Sequence, residues 1–254
     1  MKIAIAGKGG VGKTTISGTL CRILAQSGKK VLAIDGDPNP NLSRVLGVDP
    51  NAPAPMALST DILERVEDAD GSRRIEVKVE TQELFEMYGQ QAPDNITLLM
   101  VGKPEVAGSG CMCGSHTCVR EVIHSALSDS SDQMVILDME ASMEHMKRGT
   151  AKYVDMMFCV VEPYYRSLEA GGRFAAMAKD LGINKVSAIA NKVRNEMEEA
   201  AIRQFCTKNN IEITAVVPYD EAVKDADLQG LSLMDYSQDN EVVHALKKVA
   251  EGLD

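Results

Sequence analysis

A glycine-rich segment near the start of the chain constrains the fold more than any other feature. The segment Gly7–Thr15 reads Gly-Lys-Gly-Gly-Val-Gly-Lys-Thr-Thr. The apolar run Ile3–Ala6 precedes it, and Thr14–Gln26 is predicted to be helical. A strand, a tight glycine turn and a helix in this order form the first part of a βαβ unit. The N-terminus therefore predicts an α/β fold.

Apolar runs and helical patterns continue to alternate along all 254 residues. The remaining predicted strands are Val31–Asp35, Ile96–Val101, Met134–Asp138, Met156–Val161, Val186–Asn191 and Ile213–Val217. The remaining predicted helices are Val119–Leu127, Ser167–Leu181, Glu196–Asn209 and Asn240–Gly252. Strands that are apolar almost throughout are typical of parallel strands buried on both faces. We therefore predict a single domain over 1–254, with a mainly parallel sheet flanked by helices on both faces.

The formal net charge of −10 at pH 7 argues against broad binding to nucleic acid or to anionic membranes. The N-terminus does not resemble a secretion signal, and no apolar run approaches the roughly 18 residues of a membrane span. These features predict a cytoplasmic protein with neither a nucleic-acid nor a membrane partner. The six cysteines are then expected to be thiols or metal ligands.

The glycine segment matches the phosphate-binding pattern G-x-x-x-x-G-K-[ST], placed between a strand and a helix. Lys13 is expected to contact the β- and γ-phosphates of bound ATP or the β-phosphate of bound ADP, and the Thr14 hydroxyl to ligate Mg²⁺. The other residues predicted to surround the phosphates are Gly9, Gly10, Val11, Gly12 and Thr15. The alternative is a glycine turn in which the lysine occurs by chance.

Acidic residues follow two predicted strands, where an open α/β sheet places its ligands. Asp138 is expected to hold the Mg²⁺ shell, and Asp35 is a second candidate for that role. Asp37 lies two residues after Asp35. One interpretation of this carboxylate is a cap for the helix that follows, and a second interpretation is given below with the family resemblance. The stretch 49–95 interrupts the strand–helix alternation. It is predicted to form short helices on the nucleotide face, with a mobile surface insertion as the alternative.

The segment from Gly108 to Cys118 contains three of the six cysteines. Cys111 and Cys113 offer two soft thiolate ligands, which suit Ni, Cu, Zn or iron–sulfur centres, and a two-fold dimer would bring four together. A second interpretation is a site within one chain that adds His116 and Cys118. A third is that these thiols are inert. The other cysteines are predicted to be core residues: Cys21, Cys159 and Cys206.

The run Lys-Gly-Gly-Val-Gly-Lys-Thr-Thr that starts at Lys8 resembles the deviant phosphate loop of the nitrogenase iron protein, MinD, ParA and related dimeric ATPases. The resemblance implies that Lys8 reaches the nucleotide of a partner subunit and that Asp37 positions the attacking water. It also implies an adenine pocket formed by Asn191-Lys192 and by the backbone near Pro218. Asn191-Lys192 lacks the aspartate of N-K-x-D, which lowers the case for guanine.

The cysteine segment makes the resemblance more specific. Gly110-Cys111 follows Val101–Glu105 as in the nitrogenase iron protein, but Met139–His145 lacks that family's second cysteine. The C-x-C pair together with Asp-Met-Glu-Ala-x-x-Glu-His at 138–145 resembles the CooC-type ATPases that mature carbon monoxide dehydrogenase. This implies an ATP- and metal-promoted homodimer that inserts nickel into that client. The alternatives are a MinD- or ParA-like positioning switch and an iron–sulfur electron donor.

Overall fold

The computed structural model describes residues 1–54, 56–68, 70–101, 113–125 and 133–253. Its strands are β1 Lys2–Gly7, β2 Lys30–Asp35, β3 Leu63–Glu67, β4 Arg73–Val77, β5 Gln90–Ala92, β6 Ile96–Met100, β7 Gln133–Asp138, β8 Met156–Val161, β9 Lys185–Val193 and β10 Glu212–Pro218. Its helices are α1 Lys13–Gln26, α2 Leu42–Val45, α3 Thr81–Tyr88, α4 Cys113–Ser125, α5 Glu144–Lys147, α6 Tyr165–Asp180, α7 Glu196–Lys208, α8 Glu221–Gln229, α9 Leu233–Tyr236 and α10 Glu241–Glu251.

One eight-stranded sheet organises the chain, in the order β10-β9-β8-β1-β7-β2-β6-β5. Seven of these strands run parallel, and β5 pairs antiparallel with β6 at one edge. All seven predicted strands are present. Because parallel neighbours end at the same edge, the loops after β1, β2, β7, β8, β9 and β10 line up in one row.

Helices cover both faces of the sheet, as predicted. Ile3 and Ile5 of β1 belong to the core beneath α1 and α10, whereas Ala4 and Ala6 belong to the core on the opposite face. Side chains alternate between faces along a strand, so β1 is buried on both sides. This burial explains why the strands are apolar almost throughout.

The predicted core cysteines are confirmed. Cys21, Cys159 and Cys206 are buried among apolar side chains. Burial raises the pKa of the Cys159 thiol to about 12, and it also raises the pKa of Cys21 and Cys206. These thiols are therefore protonated at neutral pH and fill space in the core.

The stretch 49–95 differs from the expectation of short helices alone. It contains α3, but it also contains the antiparallel β3–β4 hairpin and the edge strand β5. Helix α4 starts at Cys113 rather than at the predicted Val119, and it packs against this stretch. A Cβ atom on Gly114 would lie 2.6 Å from the Thr60 methyl group, so the two segments are in close contact.

In the described part of the chain, no helix combines the length and the apolar character needed to cross a membrane.

Candidate functional site

The glycine segment forms a closed turn between β1 and α1. Gly7, Gly10 and Gly12 have positive φ angles of 154°, 83° and 92°. A Cβ atom on Gly7 would lie 2.6 Å from the Val160 carbonyl oxygen, and one on Gly12 would lie 2.4 Å from Asn191 Nδ2. Side chains are excluded at both places, which explains the glycines in physical terms. The turn leads directly into α1, whose N-terminal N–H groups attract anions.

Lys13, at the start of α1, lies beside three carboxylates. Its Nζ donates to the Lys8 carbonyl oxygen over 3.3 Å, which closes the turn on itself. Burial lowers the pKa of Lys13, while the charges of Asp138, Asp37 and Glu140 act in the opposite direction. The structure thus brings the predicted phosphate ligand, Lys13, into the field of the predicted Mg²⁺ and water-positioning residues.

Asp138, the last residue of β7, is buried at the base of this site. Ser17 Oγ lies 3.0 Å from Asp138 Oδ1, and the Thr14 hydroxyl also forms a hydrogen bond with this carboxyl group. Burial raises the pKa of Asp138 to about 7, and the neighbouring charge of Asp35 adds to the rise. Asp35 and Asp138 are direct partners in the pairing of β2 with β7, so two buried acids lie side by side.

Asp35 organises the loop between β2 and α2. Its Oδ2 accepts the N–H groups of Asn41 and Leu42 at 2.9 and 2.8 Å, and its Oδ1 accepts the Asp37 N–H at 3.1 Å. Burial nevertheless raises the pKa of Asp35 to about 6, because these donors offset only part of the desolvation. The Asp35 carboxyl group therefore holds the loop in place. This structural role is separate from the Mg²⁺-binding role that the sequence predicts for Asp35.

Asp37 does not cap the helix that follows it. Helix α2 begins at Leu42 with Asn41 at its N-cap position, and Asp37 Oδ1 instead accepts the Asn39 N–H at 2.8 Å. The alternative of a helix cap is therefore wrong for α2. The water-positioning role implied by the resemblance stays a prediction.

The predicted adenine ligands contact the phosphate-binding turn directly. Asn191 Nδ2 donates to the Val11 carbonyl oxygen at 2.7 Å, and Lys192 Nζ donates to the Gly10 carbonyl oxygen at 2.6 Å. Pro218 ends β10 beside β9, where it pairs with Val193. These three residues thus lie along the edge of the sheet that carries the turn. Their contact with adenine stays a prediction.

Oxygen ligands suited to Mg²⁺ converge beside the turn. The Thr14 hydroxyl and the Asp138 carboxylate are the hard oxygen donors that Mg²⁺ prefers, and the two groups lie within hydrogen-bond distance of each other. When bound, Mg²⁺ would supply positive charge that offsets the negative charge of the phosphates. Thr14 and Asp138 would hold it directly or through water.

The predicted thiolate site falls largely outside the described residues. Cys111 lies outside them, and Cys113 begins α4 without a described side chain. Burial raises the pKa of the Cys118 thiol to about 11, and its side chain belongs to the apolar core, as a structural residue would. His116 is also buried. Among the residues that the structure describes, no three histidine, cysteine or acidic side chains form a metal-binding group.

Sequence reasoning missed two residues of this site. Ser17 lies one helical turn after Lys13, and its hydroxyl lies 2.9 Å from the Lys13 carbonyl oxygen as well as close to Asp138. Its spacing from Lys13 places it on the same face of α1, which was the available signal. Glu140 acts on Lys13 electrostatically, and its position two residues after Asp138 was the only hint.

A closed glycine turn on a helix N-terminus, with a lysine and a Thr–Asp pair at its mouth, is the nucleotide site of a P-loop ATPase. The chain belongs to the CobQ/CobB/MinD/ParA nucleotide-binding family, whose model matches residues 2–233.

Two relatives cover most of the chain. An uncharacterised ATP-binding protein of Methanocaldococcus jannaschii is 38% identical over 91% of this chain and 90% of its own length. The carbon monoxide dehydrogenase accessory protein CooC of Rhodospirillum rubrum is 35% identical over 93% of this chain and 90% of its own. Among solved structures, the septum site-determining protein MinD of Pyrococcus horikoshii, complexed with Mg-ADP, has a TM-score of 0.74. It is 23% identical, covering 100% of this chain and 95% of that one, and it supports the fold.

Proposed function

We propose that this ATPase is a cytoplasmic metallochaperone that dimerises on ATP, carries Ni²⁺ or Zn²⁺ on Cys111 and Cys113, and delivers nickel to carbon monoxide dehydrogenase. The observation that carries the proposal is the likeness to the accessory protein CooC, which extends over 93% of the chain. The C-x-C pair supplies the chemistry, because thiolates bind these metals tightly. The ion is cargo in this scheme.

The chain connectivity supports a link between nucleotide and metal. The Val101 N–H donates to the Asp35 carbonyl oxygen at 3.0 Å, so the strand that leads into the cysteine segment ends beside the acidic loop of the ATP site. A metal held after Val101 would therefore lie on a stretch of chain attached to the nucleotide edge of the sheet. ATP binding would close the dimer and hydrolysis would open it.

The segment that follows Asp138 offers a second link. A Cβ atom on Gly9 would lie 3.6 Å from Ala141 Cβ, so the phosphate turn and this segment are neighbours. Met146, eight residues after Asp138, is buried in the core on one face of the sheet. A shift at the phosphates would thus reach the core through a short stretch of chain, and nucleotide switches use such short stretches as two-state elements.

The alternatives have less support. A membrane-bound positioning ATPase would need a free amphipathic helix, but the apolar face of α10, with Val243 and Leu246, is buried against α1 and β10. An iron–sulfur donor would need a second cysteine in Met139–His145, where the sequence has none. The iron–sulfur donor is one outcome of the following test.

Anaerobic titration with Ni²⁺ tests the proposal. If Cys111 and Cys113 of two chains share one ion, we expect one Ni²⁺ per dimer and thiolate-to-metal charge-transfer absorption. Cys111→Ser and Cys113→Ser should each abolish binding, because each chain supplies only two ligands. Binding should weaken at lower pH, since protons compete for the thiolates. The loaded dimer should then activate nickel-free carbon monoxide dehydrogenase in an ATP-dependent reaction.

Two control variants separate the interpretations. Cys118→Ala and His116→Ala should leave the stoichiometry at one ion per dimer, whereas a site within one chain would lose its metal. One Ni²⁺ per monomer, retained on dilution, would refute the shared site. A brown preparation with visible iron–sulfur absorption would favour the electron donor, and loaded dimer that fails to activate the client would refute the chaperone role.

A further inference from the structure

An ion pair between Glu162 and Lys192 lies next to the phosphate turn, and none of the roles above involves this pair. Glu162 directly follows β8, and its Oε1 lies 2.6 Å from Lys192 Nζ. The Glu162 side chain is only 14% exposed and that of Lys192 is 39% exposed. The same ammonium group donates to the Gly10 carbonyl oxygen at 2.6 Å. One lysine therefore connects a shielded carboxylate to the backbone of the turn.

We propose that Glu162 is a positioning residue for nucleotide binding, which acts through Lys192 to fix the orientation of the Gly10–Val11 peptide in the phosphate-binding turn. The proposal rests on the ATP site alone and does not involve the metal or the dimer.

The geometry of the peptide unit explains why the carbonyl contact matters. In a trans peptide the C=O and the following N–H point in opposite directions. When Lys192 holds the Gly10 carbonyl on the outside of the turn, the Val11 N–H is directed to the inside. That N–H lies 3.5 Å from the Lys8 carbonyl oxygen across the turn, at the limit of a hydrogen bond. A phosphate oxygen is a much stronger acceptor for it.

The neighbouring residue repeats the arrangement. Asn191 Nδ2 holds the Val11 carbonyl, which directs the Gly12 N–H inward in the same way. Two consecutive residues at the end of β9 thus brace two consecutive peptides of the turn. Asn191 is buried and has a fixed path to its acceptor. Lys192 has a long, flexible side chain with several rotamers, and it needs a second contact to stay at one acceptor.

Glu162 supplies that second contact from a fixed position. Its own N–H donates to Ser167 Oγ at 3.0 Å, and Ser167 is buried in the first turn of α6. Lys192 adopts a left-handed backbone conformation with φ of 58°, which is unfavourable for a residue with a side chain. Such a conformation persists where surrounding contacts hold it, and here the side chain reaches both Gly10 and Glu162.

The test measures Mg-ADP and Mg-ATP binding to protein that is free of nickel and zinc. Glu162→Gln keeps the shape and removes the charge. We expect the Kd for both nucleotides, and the KM for ATP, to rise about three- to tenfold, with kcat changed less than about twofold. The turn contacts the phosphates in the ground state and in the transition state alike, so a loosened turn weakens both equally. Glu169→Gln, on the exposed face of α6, is the matched control and should leave Kd unchanged.

A double-mutant cycle then tests the path through Lys192. Lys192→Met should raise Kd at least as much as Glu162→Gln, and adding Glu162→Gln to it should have no further effect. An unchanged Kd in Glu162→Gln would overturn the proposal. So would additive effects, because Glu162 would then act without Lys192, and so would a loss confined to kcat. All these outcomes are independent of whether the protein binds nickel.

Discussion

Replacing Asp138 with asparagine should stabilise the nucleotide-free protein and abolish its ATPase activity. The Asp138 side chain is buried, 2% exposed, and its β-sheet partner Asp35 carries a second buried carboxyl group. Two ionised acids in such surroundings repel each other and have lost their hydration. Asparagine has nearly the same shape, and its amide oxygen can still accept from Ser17. The change therefore removes the charge with little change of packing.

The magnitude follows from the pKa of Asp138, which rises from 3.8 to about 7 in the folded protein. Each step of one in pKa corresponds to about 1.4 kcal/mol, so the ionised form costs at most about 4 kcal/mol above pH 7. The asparagine side chain removes this cost, but burial of its polar amide group offsets part of the gain in stability. The free energy of unfolding of Asp138→Asn should therefore exceed that of the wild type by about 1–3 kcal/mol at pH 8.

The sign of the pH dependence distinguishes this cause from others. A folded-state pKa above the unfolded value means that the folded protein binds more protons between pH 4 and 7. Wild-type stability should therefore fall as the pH rises through this window and level off above it. Asp138→Asn should match the wild type near pH 4 and diverge from it up to pH 8. Part of the slope should remain, because the pKa of Asp35 is also raised.

Urea unfolding at half-unit steps from pH 4 to pH 8, without nucleotide or Mg²⁺, measures this difference. Asp180→Asn, an exposed acid at the end of α6, is the control and should leave the pH slope unchanged. A variant that is less stable than the wild type at pH 8, or that has the same slope, would refute the argument. With Mg-ADP present, the wild type should no longer be less stable to unfolding than Asp138→Asn, because Mg²⁺ favours the ionised carboxylate.

Two further predictions concern the ATPase cycle. Lys8→Ala should keep the Kd for Mg-ADP within about twofold, because Lys8 is exposed at the turn. The variant should not dimerise with a slowly hydrolysed ATP analogue, as measured by sedimentation. A normal dimer would exclude the cross-subunit role of Lys8. Asp37→Ala should bind Mg-ATP normally but lower kcat by roughly a hundredfold or more, since the attacking water loses its acceptor. Unchanged turnover would refute the water-positioning role of Asp37.

The sheet and the phosphate site could be predicted from the sequence because local sequence patterns determine them. Buried parallel strands are apolar on both faces, and the glycine turn must lie between a strand and a helix. The β3–β4 hairpin could not be predicted, because Leu63–Glu67 and Arg73–Val77 carry charges on much of their length and contain no buried residue. Its strands form through pairing with each other and contact with α4, which no short window of sequence contains.

The start of α4 illustrates the same limit. Cys113–Thr117 contains glycine, serine and threonine, which are weak helix formers, and the prediction therefore placed the start at Val119. The close approach of Gly114 to Thr60 and the burial of Cys118 stabilise the earlier turns. Tertiary packing overrides local preference here.

Both Asp35 and Asp138 were candidate Mg²⁺ ligands in the sequence, but they make different contacts in the structure. The difference suggests how bound ATP could affect the acidic loop after β2. Asp35 holds the loop through the Asp37, Asn41 and Leu42 N–H groups, and those bonds are strongest when it is ionised. Asp138 ionises beside it only at a cost, unless Mg²⁺ is present. Bound Mg²⁺ would favour the ionised form of Asp138 and would offset its repulsion of the charge on Asp35. We therefore expect the Asp35 bonds to hold the loop that carries Asp37, the residue predicted to orient the attacking water, more firmly with Mg-ATP bound than without it.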